Sequence, residues 1–98
     1  MAKKWIIEGR DFKLGNVDFH REFAKDKSKV IGGGYWHIDR VSNILYLYSK
    51  SEDFGNVSLA DIIRIKHSGF YSLSLEKLEW RFSKEDSLDR ALVLNEKI

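Results

Sequence analysis

Apolar positions along the chain fall in short runs separated by glycines and polar clusters, and most of the runs are too short for anything but strands. Lys4 to Glu8, with Trp5-Ile6-Ile7 at its centre, predicts a strand. Gly9-Arg10-Asp11 reads as a turn, and Phe12-Lys13-Leu14 as a second short strand before the break at Gly15-Asn16. Asn16 or Asp18 suits the cap of a helix over about 18–28. Asp18 and Glu22 lie in its first turns, Lys25, Lys27 and Lys29 at its end, and Val17, Phe19, Phe23 and Ala24 on its apolar face. Val30-Ile31 leads into Gly32-Gly33-Gly34, where glycine allows unusual backbone angles and the close approach of another group. Tyr35 to Ile38 predicts a strand, and Ile44 to Tyr48 is the strongest strand pattern in the chain. The two form an antiparallel hairpin across the loop at 39–43, and the unbroken apolar run implies a central strand covered on both faces. After a polar loop from Ser49 to Asn56, Ser58 with Asp61 resembles a capping box, and Ile62, Ile63 and Ile65 carry a second helix to about His67. Leu73, Leu75, Leu78, Trp80 and Phe82 alternate with one slip near Glu76-Lys77, as in a bulged strand.

Past Phe82 the pattern is ambiguous. Ser83 to Asp86 resembles a capping box, and Leu88, Ala91 and Leu92 make one face of a short helix. Leu92-Val93-Leu94 suits a strand equally well. The expected order is β-β-α-β-β-α-β plus this C-terminal tail. It implies an α+β fold with a small mixed, mostly antiparallel sheet and two main helices. Residues 1–82 form the domain and 83–98 the tail, as a short helix or an added strand.

Composition narrows the chemistry. The chain has 98 residues, enough for one domain, with no cysteine and no proline. The absence of cysteine removes disulfides, thiolate zinc sites and a cysteine nucleophile, and three histidines make a poor structural metal site. Neither a membrane span nor a signal peptide is expected, since the apolar run behind Met1-Ala2-Lys3-Lys4 is only Trp5-Ile6-Ile7. The expectation is a cytoplasmic protein. Net charge is +2, with an excess of +3 over residues 1–30 and −1 over the remainder. That bias suits an anion, and equally suits an ordinary solvated surface.

Three features fit an anion-handling site. His20, placed just inside the first expected helix, titrates near neutrality beside helix N–H groups. Lys4 offers a fixed cation. The Ser51 to Gly55 loop offers backbone donors. Each also has an ordinary reading, as a packing histidine, a flanking lysine and a β-to-α connector.

Taken together, Phe19-His20, Gly32-Gly33-Gly34, Ile44-Leu45-Tyr46-Leu47-Tyr48 and Ser51-Glu52-Asp53-Phe54-Gly55 resemble the pattern of the Janus/Ocnus family, the small phosphohistidine phosphatases. The interval from Gly34 to Gly55 keeps the family register without a gap. Lys4-Trp5-Ile6-Ile7 is similar to the family's Lys-aromatic-aliphatic-aliphatic start, and the likeness spans about residues 3–80. The resemblance implies a metal-independent, cofactor-free hydrolase that cleaves a P–N bond. It casts His20 as general base or nucleophile, with Lys4, Ser51, and the amides of Arg21 and Asp53 holding the phosphoryl group. The implied partner is a phosphohistidine-containing protein or a small phosphoramidate, and the protein is expected as a monomer or weak dimer.

The chain also departs from that pattern. Tyr35 replaces an arginine, Ile38 a histidine, Ser49 a glycine and Lys50 an aromatic, while Asp53 puts a carboxylate beside the phosphate loop. An unpaired acid there repels phosphate unless it turns away or Lys50 neutralises it. Two other classes therefore stand beside the enzyme. One is a non-catalytic module of the same fold that binds a phosphorylated ligand. The other is a nucleic-acid binder using Tyr35, Tyr46 and Tyr48 for stacking, which the weak positive charge argues against.

Overall fold

The computed structural model describes residues 1–98. Six strands form one sheet: β1 (Ala2–Glu8), β2 (Asp11–Val17), β3 (Val30–Asp39), β4 (Ile44–Tyr48), β5 (Glu79–Phe82) and β6 (Glu96–Lys97). Their spatial order is β2-β1-β3-β4-β5-β6, and every neighbouring pair is antiparallel except β4 with β5. That one parallel pair requires a crossover. Helix α1 (Leu59–Ser68) and the single-turn α2 (Leu73–Glu76) lie within it, and α3 (Leu88–Val93) follows β5. The fold is α+β, as the pattern of the chain implies, with one main helix. No helix is long and apolar enough to cross a membrane.

Period-two alternation decides what each face of the sheet buries. Trp5 and Ile7 point to the α1 side, where they join Leu45, Leu47, Trp80 and Phe82 and meet Ile62 and Ile65 of α1. Phe12 sits among aromatics, with its ring centroid 5.6 Å from Trp5 and 5.1 Å from Trp80. Ser58 caps α1 as expected. Its hydroxyl accepts from the Asp61 amide at 3.2 Å and lies 3.0 Å from the Asp61 carboxylate. Lys4, Ile6 and Glu8 point to the opposite face, and all three are buried.

What buries them is the segment between β2 and β3, and here the expected helix over 18–28 does not form. The segment contains two short 3-10 turns, His20–Phe23 and Lys27–Lys29. Its backbone donors are taken by a distant side chain: Glu8 accepts from the Lys25 amide at 3.3 Å and the Asp26 amide at 2.6 Å. Glu8 also accepts from Lys13 Nζ at 2.6 Å. A helix would have satisfied those amides from within the segment. His20 consequently opens a single 3-10 turn and not the expected α-helix.

Two further expectations change. The stretch from Leu73 to Phe82 is not one bulged strand. Ser72 caps a helical turn through the Ser74 amide, and only Glu79–Phe82 joins the sheet. Past Phe82 the helical alternative forms over Leu88–Val93, capped not by the Ser83 to Asp86 box but by Ser87, whose hydroxyl accepts from the Arg90 amide; Leu92-Val93-Leu94 is not a strand, and the added strand lies further on at Glu96–Lys97. Helix α3 buries Ala91, while β6 pairs with β5 and lets the Ile98 amide donate to the Trp80 carbonyl at 3.0 Å.

The three glycines are explained by close approach rather than by unusual backbone angles, since none has a positive φ. A Cβ on Gly34 would lie 3.0 Å from the Trp5 ring, and one on Gly32 would lie 2.7 Å from the Asn56 carbonyl. A Cβ on Gly33 would meet the Trp5 carbonyl at 2.3 Å and His20 Cδ2 at 3.1 Å. The groups that approach these glycines belong to the protein itself.

Candidate active site

Gly33, Lys4 and Tyr35 share one face of the sheet because β1 and β3 pair Lys4 with Tyr35 and Ile6 with Gly33. His20 comes down on this face over Gly33 and is completely buried. Its Nε2 lies 2.8 Å from the Gly34 carbonyl. A carbonyl only accepts, so Nε2 carries the hydrogen, and in the neutral ring Nδ1 keeps a free lone pair. Nδ1 is buried and has no hydrogen-bond partner. It faces the 51–55 loop, with Glu52 Oε2 at 3.5 Å.

Burial is the main cause that lowers the His20 pKa below the usual imidazole value. The Lys4 charge acts in the same direction, against the Gly34 hydrogen bond and the Glu52 and Asp53 carboxylates. Burial and Lys4 thus both favour the neutral ring. Lys4 is buried too, and its Nζ donates to the Asp18 carbonyl at 2.5 Å. That ammonium lies 5.5 Å from the Tyr35 ring and 5.9 Å from the Phe19 ring, near enough for cation–π attraction.

Tyr35, at the position where the family pattern has arginine, connects the groups. Its ring meets His20 edge-on at 5.7 Å, and its hydroxyl donates to Glu52 Oε1 at 2.7 Å. That bond pushes the tyrosine pKa up to about 12 and holds the Glu52 carboxyl below its usual range. Ile38 packs against the core on the other face, and His37 stacks on Tyr46 with centroids 6.3 Å apart.

The loop residues behave differently from the pattern expected of a phosphate cradle. Ser51 is buried, and its hydroxyl accepts from the Asp53 amide at 3.2 Å and the Phe54 amide at 3.0 Å. Those donors are spent inside the loop. Ser51 and Gly55 also exchange both backbone hydrogen bonds, and the Gly55 carbonyl accepts from the Gly33 amide. Asp53 is neutralised by Arg21 and not by Lys50. Its Oδ2 accepts from the Arg21 amide at 3.2 Å, and its Oδ1 lies 3.3 Å from the guanidinium.

The structure thus brings His20, Lys4, Arg21, Ser51 and Asp53 to one place. It adds Glu52 and Tyr35, which no reading of the sequence had put in contact with His20. The only signal pointing to Tyr35 was its departure from arginine beside the glycine triplet. None of the four surface cavities is lined by His20 or Lys4; the largest, about 520 Å³, lies at the far end between β5 and the C-terminal segment. No three His, Cys, Asp or Glu side chains converge as metal ligands would.

What the fold and site define is a small α+β domain that holds a neutral histidine, a buried lysine and an arginine against an acidic loop. Comparison with family models, with curated proteins and with solved structures gives no match.

Proposed function

We propose that the protein is a metal-independent phosphohistidine phosphatase in which His20 Nδ1 is the reacting atom. The observation that carries this reading is the buried, unpartnered Nδ1, its lone pair freed by the Nε2 bond to Gly34 and aimed at the loop beside Lys4. A polar atom left without a partner in the interior costs free energy and calls for an explanation. A reacting phosphoryl group or its attacking water supplies one. Phosphoryl transfer asks the protein mainly for positioning and for cations near the equatorial oxygens, which Lys4 and Arg21 provide.

Two routes use the same atom. As a base, Nδ1 takes a proton from water while the water oxygen attacks phosphorus. The P–N bond breaks, and the departing imidazole nitrogen takes up a proton. As a nucleophile, Nδ1 attacks phosphorus directly, the P–N electron pair leaves with the protonated substrate imidazole, and water then releases phosphate from His20. A depressed pKa serves both, because each needs the neutral ring.

A second reading, a module that binds a phosphorylated ligand without turning it over, is favoured by a different observation. His20 is fully covered, and two carboxylates already stand in the site, Glu52 beside His20 and Asp53 on Arg21. Hydrolysis of a phosphohistidine-containing protein by the unaltered chain and by His20→Ala separates the two. The enzyme reading expects a loss of about 10²–10⁴-fold on substitution. Activity in neither chain, with phosphate still shifting the amide signals of residues 51–55, selects the binding module.

A further inference from the structure

The loop from Ser51 to Gly55 is closed on itself. Its inner amides donate to Ser51 Oγ and its ends are tied together, so the backbone offers an incoming anion little. What it presents to the site is a pair of carboxylates, each set against a group that a phosphoryl anion would use. Glu52 lies 3.5 Å from the unpartnered Nδ1 of His20 and accepts from the Tyr35 hydroxyl at 2.7 Å. Asp53 takes both the amide and the guanidinium of Arg21. With Lys4 and Arg21 as the facing cations, the formal charge of the cluster is balanced.

We propose that Glu52 and Asp53 are resident anions that occupy the phosphoryl position in the resting protein, and that a substrate enters by displacing the Glu52 side chain. This rests on the phosphoryl reading given above. The two acids differ in how firmly they are held. Glu52 has a side chain 63% exposed and a single donor, Tyr35, whereas Asp53 is 24% exposed and is fixed twice to Arg21. Rotation of Glu52 toward solvent requires no change in the loop backbone. It withdraws the carboxylate that lies 3.5 Å from Nδ1 and removes one negative charge from the cluster, which leaves it with a net positive charge as the anion arrives. The gate is therefore a side chain.

The test is titration of the full chain with inorganic phosphate, followed through the amide signals of His20, Arg21 and residues 51–55 and the ring signals of His20. Glu52→Gln keeps the size of the side chain and removes its charge. It should tighten phosphate binding about tenfold or more, because a hydrogen-bonded carboxylate no longer competes. Asp53→Asn should tighten it less, since Arg21 loses the neutralised partner that orients it. Glu52 is exposed, so its variant keeps the fold, and unchanged amide signals outside the site verify this. Equal phosphate affinity in the unaltered chain and in Glu52→Gln overturns the gate, while His20-dependent hydrolysis of phosphohistidine would leave the enzyme reading standing. Absence of phosphate binding in all three chains also overturns the gate, and if hydrolysis is then independent of His20 the enzyme reading falls with it.

Discussion

Glu8 lies outside the candidate site, yet it holds in place the segment that carries His20. Replacing it with alanine leaves the Lys25 and Asp26 amides and the Lys13 ammonium without the acceptor they share. Hydrogen bonds to a charged acceptor contribute about 1.5–3 kcal/mol each, and an uncompensated buried partner raises the cost. Lys13 is partly exposed and also donates to the Phe23 carbonyl at 3.1 Å, so the loss of Glu8 strands no buried charge there, and the longer Lys25 contact counts for less than the short Asp26 one. A loss of about 3 kcal/mol follows. For a domain of this size each kcal/mol lowers Tm by about 4–8 °C. Denaturant unfolding of Glu8→Ala should give a lower midpoint at unchanged slope.

The pH dependence gives Glu8 a second signature. Its pKa is lowered from 4.5, first by the Lys13 hydrogen bond and then, against the opposing effect of burial, by the Asp26 and Lys25 amides. A carboxyl whose folded pKa is depressed stabilises the fold fully above its unfolded value and loses that stabilisation as pH falls through the folded value. Stability measured from pH 7 downward should therefore fall below about pH 4.5 in the unaltered chain, and less steeply in Glu8→Ala. Amide exchange over residues 18–29 should quicken in the variant, because the tie to β1 is gone. A stability within about 0.5 kcal/mol of the unaltered chain, the scatter of neutral surface substitutions, together with the same acid limb, would refute the reasoning.

Other consequences are as direct. Gly33→Ala places a Cβ 2.3 Å from the Trp5 carbonyl and 3.1 Å from His20, so β1 or β3 must shift. Thermal denaturation should show a loss of about 1–3 kcal/mol, the usual cost of overpacking, and the His20 ring signals should move as well. Tyr35→Phe removes the donor that holds the Glu52 carboxyl low, so the Glu52 pKa, followed by carboxyl NMR, should rise toward 4.5, and an unchanged value would show that Tyr35 does not set it. His20→Ala fills no space and leaves the Gly34 carbonyl without its donor, so along with the expected fall in activity it should lower Tm, and a variant as stable as the parent would argue that the ring is not packed over Gly33.

Where pattern and structure agree, short-range rules suffice. The Ile44 to Tyr48 run, its hairpin with β3, and α1 with its Ser58 cap are set by alternation and by one local hydrogen bond. Misreading of residues 18–28 has a long-range cause. Asp18, Phe19, Phe23 and the terminal lysines satisfy every local preference of a helix, but His20 is drawn down onto Gly33 and the amides of residues 25 and 26 are captured by Glu8 from β1. Leu73 to Phe82 departs from a single strand for a related reason: Ser72 caps a turn there, and the Trp80 indole donates back to the Leu75 carbonyl at 2.9 Å.

Sequence alone determined the α+β class, the first four strands along the chain with the β3–β4 hairpin, helix α1, and the limits on the chemistry set by the absence of cysteine. Its resemblance to a known pattern singles out Lys4, His20, Arg21, Ser51 and Asp53 as one group. Only the tertiary structure decided which atoms of those residues are free: Nδ1 of His20 is unpartnered, while the Asp53 and Phe54 amides and the Arg21 amide are already engaged. It also brought Glu52 and Tyr35 to the histidine. Hydrogen bonds between residues 17 and 32 positions apart depend on strand register and burial, and neither is encoded in any local window of the chain.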